Sequence, residues 1–222
     1  MTLFINQLNH TSYSEQYIHR LMKLLRIKAR IRQKHSNYVK TKPEQVGENI
    51  LHRNFEAKWK NQKWCFKVVG QKQKLYLSAI IDLYDRSIVS YVLSNHNNNK
   101  LVFDTFDLAM KEFPNAKPIF HSDRGFQYPS KQFKLKLDDA GMIQSMSRVG
   151  RCIDNGPMEG FWGTLKSEMF YGIKWNDEAK LREAITKYIN FYNNDRFQAN
   201  LKGMTPNQFG NHANPNLLPL GI

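Results

Sequence analysis

Two apolar, β-rich runs separated by one tight turn constrain this chain more than any other feature. Residues 74–83 read Lys-Leu-Tyr-Leu-Ser-Ala-Ile-Ile-Asp-Leu and residues 87–93 read Ser-Ile-Val-Ser-Tyr-Val-Leu, with Asp85-Arg86 between them. The first is apolar on both faces, the mark of a strand buried in a sheet. Strands this close in sequence pair as an antiparallel hairpin. Beyond the hairpin, helices and strands alternate. Residues 97–113 predict a helix with Leu101, Phe103, Phe106, Leu108, Ala109 and Met110 apolar and Pro114 as its stop. Residues 117–122 predict a short strand, 130–140 a helix capped by Ser130 and closed by Gly141, and 142–147 another strand. A Gly/Asn-rich loop over 149–156 leads into a helix over 157–170. A last long helix over 177–193 carries Leu181, Ile185, Tyr188, Ile189 and Tyr192 on one face, and Thr205-Pro206 caps a final turn. A hairpin followed by alternating helices and strands is an α/β domain with a mixed sheet flanked by helices.

Ahead of this core, residues 14–29 predict a short amphipathic helix that Ser14 can cap, with Tyr17, Leu21, Leu24, Leu25 and Lys28 at helical spacing. Arg20, Lys23, Arg26, Lys28, Arg30, Arg32 and Lys34 form a basic stripe that runs off its end, readable as a DNA contact or as a solvated face. The expected organisation is a basic helical segment over 1–36 and a polar linker over 37–63. A core over 64–210 and a disordered tail over 211–222 complete it. Within the linker, order is expected where Ile50, Leu51, Phe55 and Trp59 find something to pack on.

Charge narrows the partners. Lys and Arg number 33 against 19 Asp and Glu, a net of +14 with a pI near 9.7. Such a chain attracts polyanions, nucleic acid first among them; the alternatives are a basic protein whose charge only keeps it soluble and one drawn to anionic membranes. Two cysteines without a CxxC pair and scattered histidines suggest neither a disulfide framework nor a zinc site. With no signal-peptide pattern and no apolar run of membrane-spanning length, the expectation is a soluble, cytoplasmic protein.

Two carboxylates stand where chemistry is built. Asp123 follows a strand and precedes Arg124-Gly125, at the C-terminal strand end where α/β sheets place their sites. Glu159 lies in the first turns of a helix, and Lys166 falls two helical turns later on the same face. Met158, Phe161, Leu165 and Met169 supply the stripe that docks this helix on the sheet. Taken singly, a Glu early in a helix is a solvated residue favoured by the dipole, and an Asp before Arg-Gly is a turn residue.

Taken together they resemble something specific. His-Ser-Asp-Arg-Gly-Phe-Gln-Tyr over 121–128 and Asp-Asn-Gly-Pro-Met-Glu-Gly-Phe-Trp-Gly-Thr-Leu-Lys-Ser-Glu over 154–168 are similar to signature blocks of bacterial insertion-sequence transposases. The group is the one made from two overlapping reading frames, and this chain resembles the second-frame product. Residues 76–86, Phe-Tyr-Asn-Asn-Asp-Arg over 191–196 and Leu-Lys-Gly-Met-Thr-Pro over 201–206 extend the resemblance over most of the chain. It implies an RNase H-like fold of the retroviral-integrase superfamily and three carboxylates holding Mg²⁺ ions for strand cleavage and strand transfer. It also implies an oligomer assembled on transposon-end and target DNA. Carried over by position, Asp123 is the second carboxylate and Glu159 the third, both catalytic and metal-binding. Lys166 contacts DNA, and Arg124 is a neighbouring phosphate contact.

One part of the pattern is missing. The first carboxylate belongs on the first strand, a few residues after Trp64, yet residues 64–70 read Trp-Cys-Phe-Lys-Val-Val-Gly, with no Asp or Glu between Glu56 and Asp82. A deletion of about five residues there leaves a stub or forces the flanks into another register, unless residues 67–70 slide into the gap. The reading is therefore a transposase impaired in catalysis. The alternatives are an enzyme completed by Asp82 or by a partner chain, and a non-catalytic DNA-binding protein that inhibits an intact transposase.

Overall fold

The computed structural model describes residues 1–28, 47–70, 75–148, 151–171, 173 and 175–212. Arg30, Arg32 and Lys34 of the basic stripe, and most of the expected tail, lie outside these residues. Helix α1 spans Thr2–Asn9 and α2 Glu15–Leu24, followed by strands β1 (Lys63–Gly70), β2 (Tyr76–Asp82) and β3 (Ile88–Ser94). Then come α3 (Asn99–Glu112), β4 (Ile119–Ser122), α4 (Lys131–Asp139) and β5 (Ile143–Met146). Helices α5 (Gly156–Leu165), α6 (Glu178–Asn194) and α7 (Pro206–His212) complete the order.

The sheet order is β3-β2-β1-β4-β5. β2 and β3 form the expected antiparallel hairpin, turned at Arg86 with φ 63°, and β1 pairs antiparallel with β2. β4 joins β1 in parallel, and β5 joins β4 in parallel. The mixed sheet is as the alternation of elements requires. β1 is no stub. Residues 67–70 continue the strand in unbroken register, pairing Lys67 with Ala79, Val68 with Ser78, Val69 with Leu77 and Gly70 with Tyr76.

Alternation along β1 divides two apolar layers. Trp64 and Phe66 face the layer built with α3 and α4, among Val102, Phe106, Phe120 and Phe133. Cys65 faces the other layer, with Met158, Phe161, Leu165 and Met169 of the stripe and Leu181, Ile185, Tyr188, Ile189 and Tyr192 of α6. A period of two on the strand and of 3.6 on the helices makes both faces apolar at once. In α3, Leu108 points to solvent, while Val102 and Thr105 take inward places.

The N-terminal region departs from expectation. Helix α2 stops at Leu24, not 29, and Arg26 takes a left-handed φ of 54°. Ser14 Oγ does cap it, accepting from the Tyr17 N–H at 3.2 Å, but Ile18 is its buried residue, and Leu24 and Leu25 are exposed. α1 carries no capping side chain that would have announced it. It docks by Phe4 against Phe197, ring centroids 6.0 Å apart. In the segment read as a linker, Leu51 is buried and Phe55 packs on the core, while Ile50 and Trp59 remain exposed. That segment follows β5: Met146 N–H donates to Glu48 O at 2.9 Å and Leu51 N–H to Ser145 Oγ at 3.0 Å. No helix among the described residues is long and apolar enough to cross a membrane.

α7 closes on the hairpin turn. Gly210 lies so near the Asp85 carboxylate that an added Cβ would collide with it. Asp85 is itself held by Lys60 at 3.1 Å and by the Ser87 N–H at 2.8 Å, so it has little room to yield. Gly210→Ala is expected to cost about 1–2 kcal/mol by overpacking. Chemical denaturation checks it, and an unchanged midpoint would refute the close approach.

Candidate active site

Asp123 lies just beyond the end of β4, and Glu159 lies in the first turn of α5. They converge. Between them stands the side chain of Lys67, from β1. Its Nζ is 3.7 Å from Asp123 Oδ2 and pairs with Glu159 Oε1 as well. The parallel register sets this up: Phe66 is opposite Ser122, so Lys67 and Asp123 are the next residues along neighbouring strands. Alternation then turns Lys67 to the same face as Cys65, the face that α5 covers. Asn155, at the start of α5, donates from Nδ2 to the Phe66 carbonyl at 3.1 Å and ties the helix to β1 beside the site.

The three side chains are between about a fifth and a third exposed. Burial raises the Asp123 pKa above its usual value, opposed by the Lys67 charge and by the Gly125 N–H, which donates to Oδ1 at 3.0 Å. His121, two residues earlier, is buried between the Ser145 and Ser147 hydroxyls at 2.9 and 3.1 Å. Burial lowers its pKa to about 4, so it is neutral at physiological pH.

Of the DNA-contact candidates, Arg124 follows Asp123 directly and Lys166 lies two helical turns beyond Glu159. Arg124 is half-buried and donates from Nε to the Ser147 carbonyl, with Nη1 buried beside it. Lys166 is half-buried and opens a π turn over Lys166–Phe170, where the expected α-helix changes its winding. The Tyr171 N–H closes that turn on the Lys166 carbonyl at 2.9 Å. Such turns re-aim side chains within helices.

Asp82 is elsewhere. It pairs with Trp64, three residues along β1 from Lys67, which puts it on the order of 10 Å away along the sheet. There it accepts the N–H groups of Asn61 and Tyr84, at 2.6 and 2.7 Å, and the Trp64 indole N–H at 3.2 Å. Its role is to close the ends of β1 and β2, so it does not complete the site.

The integrase core domain family matches residues 57–152 and again 159–213. The chain is 39% identical over 213 residues to "Putative transposase InsK for insertion sequence element IS150" of Escherichia coli (strain K12), covering 93% of this chain and 73% of that one. It is 36% identical to an uncharacterized transposase-like protein of Haemophilus influenzae, covering 85% and 89% of the two chains. The chain belongs to the insertion-sequence transposases of the integrase superfamily. Among solved structures, the HTLV-2 integrase catalytic core domain in complex with magnesium is similar in fold, with a TM-score of 0.54 at 18% identity over 68% of this chain and 97% of that one. A simian T-cell lymphotropic virus intasome chain aligns with a TM-score of 0.60 at 14% identity over 100% of this chain and 78% of that one.

Measured against the magnesium that such a fold implies, the donor set does not fit. Two carboxylates and an ammonium converge where three carboxylates are needed, and a Lys–NH₃⁺ offers a metal no lone pair. Among the described residues, no group of three or more His, Cys, Asp or Glu is placed to hold a metal ion.

Other residues of this transposase-family chain emerge only from the fold. Asp154 is fully buried and accepts from Arg53 Nε at 2.6 Å, Arg148 Nε at 2.8 Å and Asn49 Nδ2 at 3.2 Å, pinning the segment ahead of α5. Glu168 accepts from Arg196 at 2.7 Å and from the Tyr188 hydroxyl at 2.9 Å, joining the π turn to α6. Asn193 bonds both the N–H and the carbonyl of Ile88, at 2.8 and 3.0 Å. Asp154 and Glu168 open and close the signature block over 154–168, and Asn193 and Arg196 sit in the block over 191–196, the one signal that could have found them.

Proposed function

We propose that this chain engages transposon-end DNA as its relatives' names imply, with strand cleavage and strand transfer strongly impaired. The observation that carries this reading is the meeting of Asp123 and Glu159 on Lys67, with no third acid beside them among the described residues. In this reading Asp123 and Glu159 are what remains of a phosphoryl-transfer site, and Lys166 and Arg124 are phosphate contacts beside it. A net charge of +14 supplies the attraction. Assembly into an oligomer on DNA, and residence on the nucleoid, belong to the same proposal.

Chemistry at a scissile phosphate needs preorganised positive charge toward its oxygens and a route for the attacking hydroxyl proton. Here the cation is already spent on two carboxylates.

A cleavage and joining assay on transposon-end DNA with Mg²⁺ tests this, with Asp123→Asn as the control. Activity is expected to fall on the order of 10³-fold or more below that of an intact relative, the scale for losing a group that stabilises transition-state charge. Cleavage at a rate near that of an intact relative, and abolished by Asp123→Asn, would show an active enzyme instead. DNA binding should persist and weaken steeply with salt, and Lys166→Ala should reduce the slope of log K on log salt by about 1. An unchanged slope removes Lys166 from the interface.

A further inference from the structure

We propose that the Lys67 ammonium is a tethered cation standing where a divalent metal would have to sit between Asp123 and Glu159, holding the site together without metal and keeping metal out. The inference rests on the reading of those two acids as the family's carboxylates, and it adds a role that the loss of an acid would not by itself create.

Three observations carry it. First, Lys67 is the residue of β1 that faces both acids at once, reaching Asp123 Oδ2 at 3.7 Å and pairing with Glu159 Oε1. Its place is fixed by the sheet: β1 is paired on both sides, with Lys67 opposite Ala79 on β2 and Phe66 opposite Ser122 on β4. Second, the charges fit. Two neighbouring carboxylates repel unless a cation lies between them, and one ammonium cancels half of their charge. A dication entering the same space meets an ammonium a few ångströms away, only partly screened because the Lys67 side chain is 21% exposed. Third, Asp123 and the start of the helix that carries Glu159 are tied down without a metal. The Gly125 N–H holds Asp123 at 3.0 Å, and Asn155 fastens the start of α5 to the carbonyl of Phe66 at 3.1 Å. The geometry for a three-carboxylate cluster is therefore present, with an amine in one corner.

The direct test is Mn²⁺ binding to the whole chain without DNA, read by loss of the free-ion electron paramagnetic resonance signal. The wild type is expected to bind Mn²⁺ weakly, and its Tm to be the same in EDTA and in excess Mg²⁺. Lys67→Asp puts a third carboxylate on the same face of β1 and should bind Mn²⁺ at least ~100-fold more tightly, since ligand charge count sets such affinities over orders of magnitude. Lys67→Gln guards against a misfolded Asp variant. It removes the ammonium and adds no acid, and it should bind Mn²⁺ about tenfold more tightly than wild type and gain a Tm that rises with Mg²⁺. Wild-type binding as tight as that of either variant overturns the proposal, because Lys67 would then be yielding its place. So does a Lys67→Gln protein indifferent to both metals. Neither result bears on DNA binding or cleavage, where the transposase reading stands or falls separately.

Discussion

Phe66→Ala should lower the stability of the protein by about 3–5 kcal/mol, the range for truncating a fully buried aromatic. No part of Phe66 reaches solvent, and its ring meets Tyr128, Phe120 and Phe133 at centroid distances of 5.0, 5.6 and 6.5 Å. β1 is the central strand, so the cavity would open where sheet, α3 and α4 meet and where neighbours have least freedom to collapse. For a chain of this size, the change should appear as a fall in Tm of roughly 10 °C. Leu135→Ala, at a residue 51% exposed, is the control and should change little. A loss below about 1 kcal/mol at Phe66 would mean that this cluster is loosely packed. The position matters for function too, since the Phe66 carbonyl anchors Asn155 and the next side chain is Lys67.

Asp154→Ala is the second large effect, expected at about 2–3 kcal/mol from the loss of several charge-assisted hydrogen bonds to a buried carboxylate. The carboxylate gathers three separate stretches: Asn49 and Arg53 ahead of β1, Arg148 after β5, and its own turn before α5. Because Arg148 and Arg53 keep part of their side chains in water, the loss strands no buried cation and stays at the lower end for an ion-pair cluster. The pH dependence has a definite sign. Hydrogen bonds from Arg148, aided by Arg53 and opposed by burial, hold the Asp154 carboxyl well below the usual carboxylate range. A folded-state pKa below the unfolded value of about 3.9 gives stability that is present above pH ~4 and drains away as the pH falls below it. Urea titrations should therefore show a wide gap between wild type and Asp154→Asn at neutral pH and a narrower one near pH 3. A gap that widens on acidification would sink the assignment.

Both predictions concern the supports of the site and not the acids themselves. Asp123 and Glu159 could be picked out from short motifs, because each motif is a local stretch whose strand end or helix start is written in neighbouring residues. Their supports could not. Asp154 gives no local hint that Arg53, 101 residues earlier, is its partner. Lys67 lies in a stretch that reads as damaged, and its meeting with Glu159 spans 92 residues.

The sequence alone determined the kinds of element, because apolar spacing of two or 3.6 residues is a property of neighbours along the chain. It determined the hairpin, the alternation of helices and strands after it and the stripe on α5, and it singled out both candidate carboxylates. It left open whether β1 would extend through residues 67–70, since strand register is decided by pairing partners on both sides. Only the tertiary structure showed the strand running on through residues 67–70, with the parallel pairing to β4 bringing a lysine level with Asp123. The identity of the third member of that cluster is a matter of register and face, and those are set when strands meet.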